Sequence, residues 1–209
     1  MNRNRKLLYP QNSVARFAIP KEILIFSLLL IMGILIGAFT AKNGNSNILT
    51  QVKNMFDSFY SIRENQSIIL SACNSLKVSG AFWLINLIFG MCIIGIPFVA
   101  IIPTIRGLGI GLVTGYIYSI YGLKGIGYCF LVIFPGALIS FIALIYSVSD
   151  SFKMSLCTLG VSLNTGTQKG GADKIKIFII RQVFYFILFV IAAFVDGITN
   201  NLFSGIFNF

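Results

Sequence analysis

Six acids and no histidine are what this chain offers for catalysis. The acids are Glu22, Asp57, Glu64, Asp150, Asp173 and Asp196. Asp57 and Glu64 stand about two helical turns apart, so their carboxylates would share one helix face, as a general acid–base pair requires. Lys53 and Arg63 lie in the same stretch, and a solvated, charge-laced surface produces that pattern equally well. Lacking histidine, the chain has neither the commonest general base nor the commonest metal ligand. Cys73, Cys92, Cys129 and Cys157 are far apart with no C-x-x-C pair, so no zinc site or disulfide framework is expected, and they suit small packing positions. No H-E-x-x-H or G-x-S-x-G occurs. "GLGIG" (107–111) could be taken for a phosphate turn, but no strand precedes it and no acid follows at the proper distance. "KGGADK" (169–174) lacks the Ser/Thr of a P-loop. The expectation is no catalytic residue, no metal and no cofactor.

The elements that would hold such residues explain their absence. Hydrophobic residues make up 56% of the chain and charged ones 11%, more apolar surface than one soluble core can bury. The composition is that of an integral membrane protein. A net charge of +10, carried mostly between the apolar runs, suits orientation in a membrane and contact with anionic lipid. No basic helix with a base-reading face appears, so nucleic acid is not an expected partner.

Residues 1–22 form a basic amino-terminal segment, followed by a first span over 23–41, long enough at ~1.5 Å per residue for a hydrocarbon core of ~30 Å. In the polar stretch 42–77, Ile48, Val52, Met55, Phe59 and Ile62 recur at helical spacing and predict an amphipathic helix on the membrane or against a partner. A second span over 78–102 begins near Trp83, an interfacial anchor, and Pro97 and Pro103 should kink or stop it. A short glycine-rich span covers 107–121, a further span 125–148 with a kink at Pro135, and a polar loop 149–176. The last span is 177–195, leaving a tail of 196–209. The acids then fall at span ends or in loops, with none deep in the bilayer.

Gly107, Gly111 and Gly115 share a helix face, and Gly33 and Gly37 repeat that spacing in the first span. In lipid such notches let helices approach closely, so these five are helix-packing candidates. The glycine segment spans only about 22 Å as a helix, which raises the choice between a tight span and a re-entrant dip. Charge decides. With five spans and the amino terminus inside, eleven positives face the cytoplasm: Arg3, Arg5, Lys6, Arg16, Lys21, Arg106, Lys153, Lys169, Lys174, Lys176 and Arg181. Five face outward: Lys42, Lys53, Arg63, Lys77 and Lys124. A re-entrant segment would change this to seven inside and nine outside. The positive-inside rule favours five spans. The expected fold is all-α, a polytopic membrane bundle of five transmembrane helices, N-in/C-out, with an extracytoplasmic amphipathic segment. Arg106, Lys174, Lys176 and Arg181 are expected to set orientation or meet lipid headgroups. Arg181 could instead pair with a partner.

The stretch "GIPFVAIIPTIRGLGIGLVTGYIYSIYGLKGIGYCFLVIFPGALI" (95–139) resembles the stage II sporulation protein M family. The likeness rests on Gly95, Pro97, Arg106, Gly107, Gly111, Gly115, Gly122, Lys124, Gly125 and Pro135, and on the order of parts along the chain. Many relatives carry a polar or His-containing continuation after Pro135, whereas this chain has "PGALIS". The resemblance implies a non-enzymatic anchor in the mother-cell or septal membrane during endospore engulfment. Its implied partners are stage II sporulation proteins D and P, which cut septal peptidoglycan. Ile48, Val52, Met55, Phe59 and Ile62 are then docking candidates. A small-molecule or lipid transport component is the alternative.

Overall fold

A computed structural model describes residues 21–43, 50, 67–162 and 171–203. Among the described residues every element is a helix, as expected of a chain whose backbone must satisfy itself in lipid. The elements are α1 (Lys21–Asn43), α2 (Ile68–Met91), α3 (Gly95–Tyr128), a π-helical turn (Cys129–Ile133), α4 (Phe134–Ser162) and α5 (Gly171–Phe203). Four stretches are long and apolar enough to cross a membrane: Lys21–Asn43, Ile68–Met91, Gly95–Ser162 and Asp173–Phe203. The third is bent back on itself. Gly122 takes φ 55°, ψ −130°, and a Cβ on Gly125 would lie 2.6 Å from the Ile117 carbonyl oxygen. In a straight helix those residues would be about 12 Å apart. Gly122 therefore divides one continuous helical stretch into two packed rods.

The contacts between rods fix their directions. Leu30 packs on Gly107, Ile34 on Gly111 and Ala38 on Gly115, so α1 and α3 run parallel. Phe89 stacks on Phe98 and Ser79 meets Arg106, so α2 runs against α3. Asn86 and Gly90 meet Ser147 and Ser151, making α2 and α4 parallel. Val132 and Ser147 meet Thr199 and Gln182, making α4 and α5 antiparallel. The five rods alternate up, down, up, down, up. Phe26, Val99, Leu144, Val148 and Phe189 fill the centre, each at most 3% exposed, while Phe39, Ile69, Leu123 and Leu202 project outward.

The α1/α3 seam is where glycine is required. A Cβ on Gly33, Gly37, Gly107 or Gly111 would land on a backbone carbonyl oxygen of the facing helix, and one on Gly115 would lie 2.8 Å from the Ala38 Cα. Gly109, on the other face, has nothing within 4 Å.

Several elements differ from the sequence expectation. The span expected over 78–102 is two helices, with α2 ending at Met91 and α3 starting at Gly95. Pro97 therefore does not stop a helix; it sits in the first turn of α3, where a missing N–H costs nothing. Pro103 lies inside α3, which continues through it, since tight neighbours compensate one lost backbone bond. The glycine segment 107–121 is consequently not short, because the rod starts at Gly95 and reaches about 40 Å by Gly122. Pro135 coincides with a π turn in place of a simple kink: the Phe134 N–H bonds back to the Cys129 carbonyl, and the Val132 carbonyl accepts from Thr199 Oγ1 at 3.1 Å. Trp83, expected as an interfacial anchor, has partners within the bundle. It lies within α2, donates to the Gln182 carbonyl at 3.0 Å and packs on Phe186 at 4.6 Å. Much of 149–176 is helical, with only 163–170 outside the described residues, and α5 runs through Asp196 to Phe203. Ile48, Val52, Met55, Phe59 and Ile62 lie outside the described residues.

Candidate functional site: a polar layer inside the bundle

The interior of the bundle contains polar side chains beside its apolar centre. α2 has the lowest mean hydropathy of the four candidate stretches, 1.5 against 2.4 or more for the others. Three of its polar residues are buried: Ser71, Ser79 and Asn86 are all at most 6% exposed. α4 continues the pattern with Ser140, Ser147, Ser151 and Ser155, spaced at seven, four and four on one face. Two sites result.

The first is a hydrogen-bonded chain at the junction of α2, α4 and α5. Asn86 Nδ2 donates to Ser147 Oγ at 2.7 Å, and Ser147 Oγ donates to Gln182 Oε1 at 2.7 Å. Gln182 Nε2 returns to the Ser147 carbonyl at 3.1 Å and to Ser151 Oγ at 3.2 Å. Ser155 Oγ caps the exposed Cys92 carbonyl in the α2–α3 turn at 2.7 Å. One turn further, Arg181 lies 3.5 Å from Asp150, which also accepts from the Tyr185 hydroxyl at 2.8 Å. Lys153 and Glu22 make a looser pair at 3.8 Å. Arg181 is thus paired within the chain, an outcome the sequence left open. Lys174 reaches Cys157 Sγ at 3.8 Å, and Lys176 is exposed.

The second site holds ionisable groups well inside the helices. Arg106 belongs to the middle of α3 and is not the loop residue expected from its charge. Its guanidinium donates to Ser79 Oγ at 3.1 Å and lies 5.3 Å from the centre of the Phe82 ring. Asp196, on α5, borders the same cavity as Arg106. Asp196 itself accepts from Ser75 Oγ, and Gly136 of α4 leaves room for it, since a Cβ there would lie 2.7 Å from the Asp196 Cβ. Arg106, Ser79, Asp196 and Ser75 border a half-open cavity of about 160 Å³ lined by α2, α3, α4 and α5. Ser140 completes its polar edge, and Val78, Ile110, Val113, Ala192 and Ala193 supply apolar wall. The sequence expectation that no acid lies deep is overturned by Asp196. Hydropathy ended the last span at this charge, but α5 continues for seven further residues. An ionisable pair inside a helical bundle is costly unless partnered, and it marks binding or conduction more often than packing.

A cavity of this volume can hold a small molecule or several waters. Arg106 can hold an anionic group and Asp196 a cationic one, and nothing in the arrangement resembles a nucleophile with its base. Among the described residues no group of three metal-ligating side chains occurs. The cysteines are all free thiols, and Cys73 and Cys92 are exposed where packing was expected.

The residues that carried the resemblance converge on the same architecture. Gly95 makes the α2–α3 turn, Gly122, Lys124 and Gly125 the hairpin between the central rods, and Gly107, Gly111 and Gly115 the seam. Arg106 faces the cavity, and Pro135 follows the π turn beside it. The family model for stage II sporulation protein M matches residues 26–199. The chain belongs to the stage II sporulation protein M family. The match takes in both the glycine seam and the Arg106–Asp196 layer. No curated protein and no solved structure matches the chain. With four candidate spanning stretches, this member of the family is a multi-pass membrane protein.

The sequence did not disclose Ser75, Ser79, Ser147, Ser151, Gln182, Asp150 and Asp196 as a set. The available signal was the serine spacing on α4, which places 140, 147, 151 and 155 on one helical stripe.

Proposed function

We propose that the protein is a non-enzymatic membrane anchor that holds septal peptidoglycan-degrading proteins in place during endospore engulfment. The observation that carries this reading is the family match over residues 26–199. On this reading the membrane is that of the mother cell at the septum, and the partners are stage II sporulation proteins D and P. The glycine seam supports it, because close-packed parallel rods make a rigid platform.

The proposed topology is five crossings, N-in and C-out. Alternation of the rods supports it, because α1, α3 and α5 rise while α2 and the rod after Gly122 descend. Arg106 and Lys77 are level with the middle of α1, away from either end of the bundle, so each leaves the count, and the inward bias of ten positives to four remains. Glu22, Lys153, Asp150 and Arg181 then form a charged belt at the inner face.

The deciding experiment is deletion of the gene followed by membrane-dye imaging of cells entering sporulation. Arrested engulfment with hydrolases no longer gathered at the septum is the expected result. Normal engulfment with correctly placed hydrolases rejects the anchor.

A second reading, a small-molecule or lipid transport component, is favoured by the Arg106–Asp196 cavity. It predicts that the double variant R106Q/D196N loses function while the protein remains folded and correctly localised.

A further inference from the structure

The charges of the middle layer do not cancel. Arg106 and Asp196 face one cavity inside the bundle, but a third ionisable group, Lys77, stands at the same depth and points the other way. Leu30 packs on Gly107, and the adjacent Arg106 reaches Ser79, two residues from Lys77. Lys77 is therefore level with the middle of α1. It lies nine residues inside α2, about 14 Å from the helix start, farther than a lysine side chain reaches. It is exposed, and among the described residues no hydrogen-bond or ion-pair partner meets it. The other described acids do not serve this layer, since Glu22 and Asp150 pair elsewhere and Asp173 is in the first turn of α5. One carboxylate is missing.

We propose that the outward face of α2 around Lys77 docks a membrane helix of another protein that carries one carboxylate at mid-depth. Charge complementarity selects this occupant. A second copy of the chain docking through the same face would place Lys77 against Lys77, which like-charge repulsion in low dielectric opposes. The face permits close approach: Gly80 has nothing within 4 Å, and Cys73, one turn from Lys77, is exposed. Leu84 and Ile88, 52% and 58% exposed, extend the face with apolar side chains that would pack on the incoming helix. The inference follows from the charge balance of this layer and does not rest on the role proposed above.

The test uses the full chain in phosphatidylcholine–phosphatidylglycerol vesicles, with its single tryptophan, Trp83, as fluorescence donor. The probes are synthetic leucine–alanine spanning peptides with a dansyl acceptor near the middle and Glu, Gln or Leu at the central position. The expected result is energy transfer to the Glu peptide, competed by unlabelled Glu peptide and at least tenfold weaker for Gln and Leu. Lys77→Met should abolish that preference and Lys77→Arg should keep it, with helicity and thermal unfolding checked in each. Equal transfer to all three peptides overturns the proposal, as does a Lys77→Met protein that retains the preference. If the wild type binds no peptide and the D57N/E64Q variant does, the occupant is the chain's own 44–66 segment, and the proposal fails. If neither binds, no carboxylate-bearing helix docks on this face, and the proposal fails equally.

Discussion

At Gly111 a single hydrogen atom separates a packed seam from a collision with the Ile34 carbonyl. Gly111→Leu should therefore cost at least the ~1–3 kcal/mol typical of overpacking, because backbone cannot step aside as a flexible side chain can. Thermal unfolding in detergent micelles would show it. Gly109→Ala, a few ångströms away but facing open space, should be neutral or slightly stabilising by the same assay. At the charged layer, Arg106→Gln and Asp196→Asn each leave an uncompensated charge, so each should destabilise more than their combination. A double-mutant cycle with strictly additive effects would show that the two groups do not act on each other. The spacing of the seam glycines was legible from sequence alone, since a period of four is visible in letters. The convergence of Arg106 and Asp196 on one cavity was not, because they are ninety residues apart and meet only through the fold.

Among the elements, the informative ones are those where the apolar pattern was continuous and hid a break. Residues 78–102 are uniformly greasy, so hydropathy alone cannot see that the chain turns at 92–94. Phe89 accepts the Cys92 N–H through its carbonyl at 3.1 Å, and a side chain at Gly95 would strike that same carbonyl, so Gly95 was the available signal. Prolines misled in the same way: they mark helix starts as readily as helix ends, and Pro97 marks a start. The second hairpin depends on Gly122 and its positive φ. Gly122→Ala should cost about 1–3 kcal/mol because an L side chain is disfavoured at this positive φ, and Gly122→Asn should cost a similar amount since ψ −130° lies outside the αL region that Asn tolerates. Chemical denaturation monitored by Trp83 fluorescence would measure both. A Gly122→Ala protein as stable as wild type would show that the turn can relax into another conformation.

For the whole molecule, alternation of the rods makes a prediction that does not depend on absolute orientation. Residues 92–94 and 163–170 should be reached from one side of the bilayer, and residues 44–66 and 122–124 from the other. Cysteine substitutions at Leu123 and Thr165, tested with a membrane-impermeant maleimide on sealed vesicles after native thiols are replaced, should label from opposite sides. Labelling from a common side would remove the five-rod arrangement. The all-helical, multi-pass character was accessible from the long apolar runs, whereas charge counting took Arg106 for a loop residue although it lies inside a helix. The polar interior was not, since the lower hydropathy of α2 shows that polar residues are present but not that they meet those of α4 and α5.

The parallel seam also bears on how the protein is made. Leu30 and Gly107 touch, yet dozens of residues must be synthesised between them. At roughly 5–20 residues per second, the first rod waits several seconds in lipid before its partner emerges from the ribosome. Throughout that interval its notched side lies uncovered, so the insertion machinery must shelter it or keep competitors away. Slowing translation between the two should lengthen this vulnerable period and increase degradation of the nascent chain.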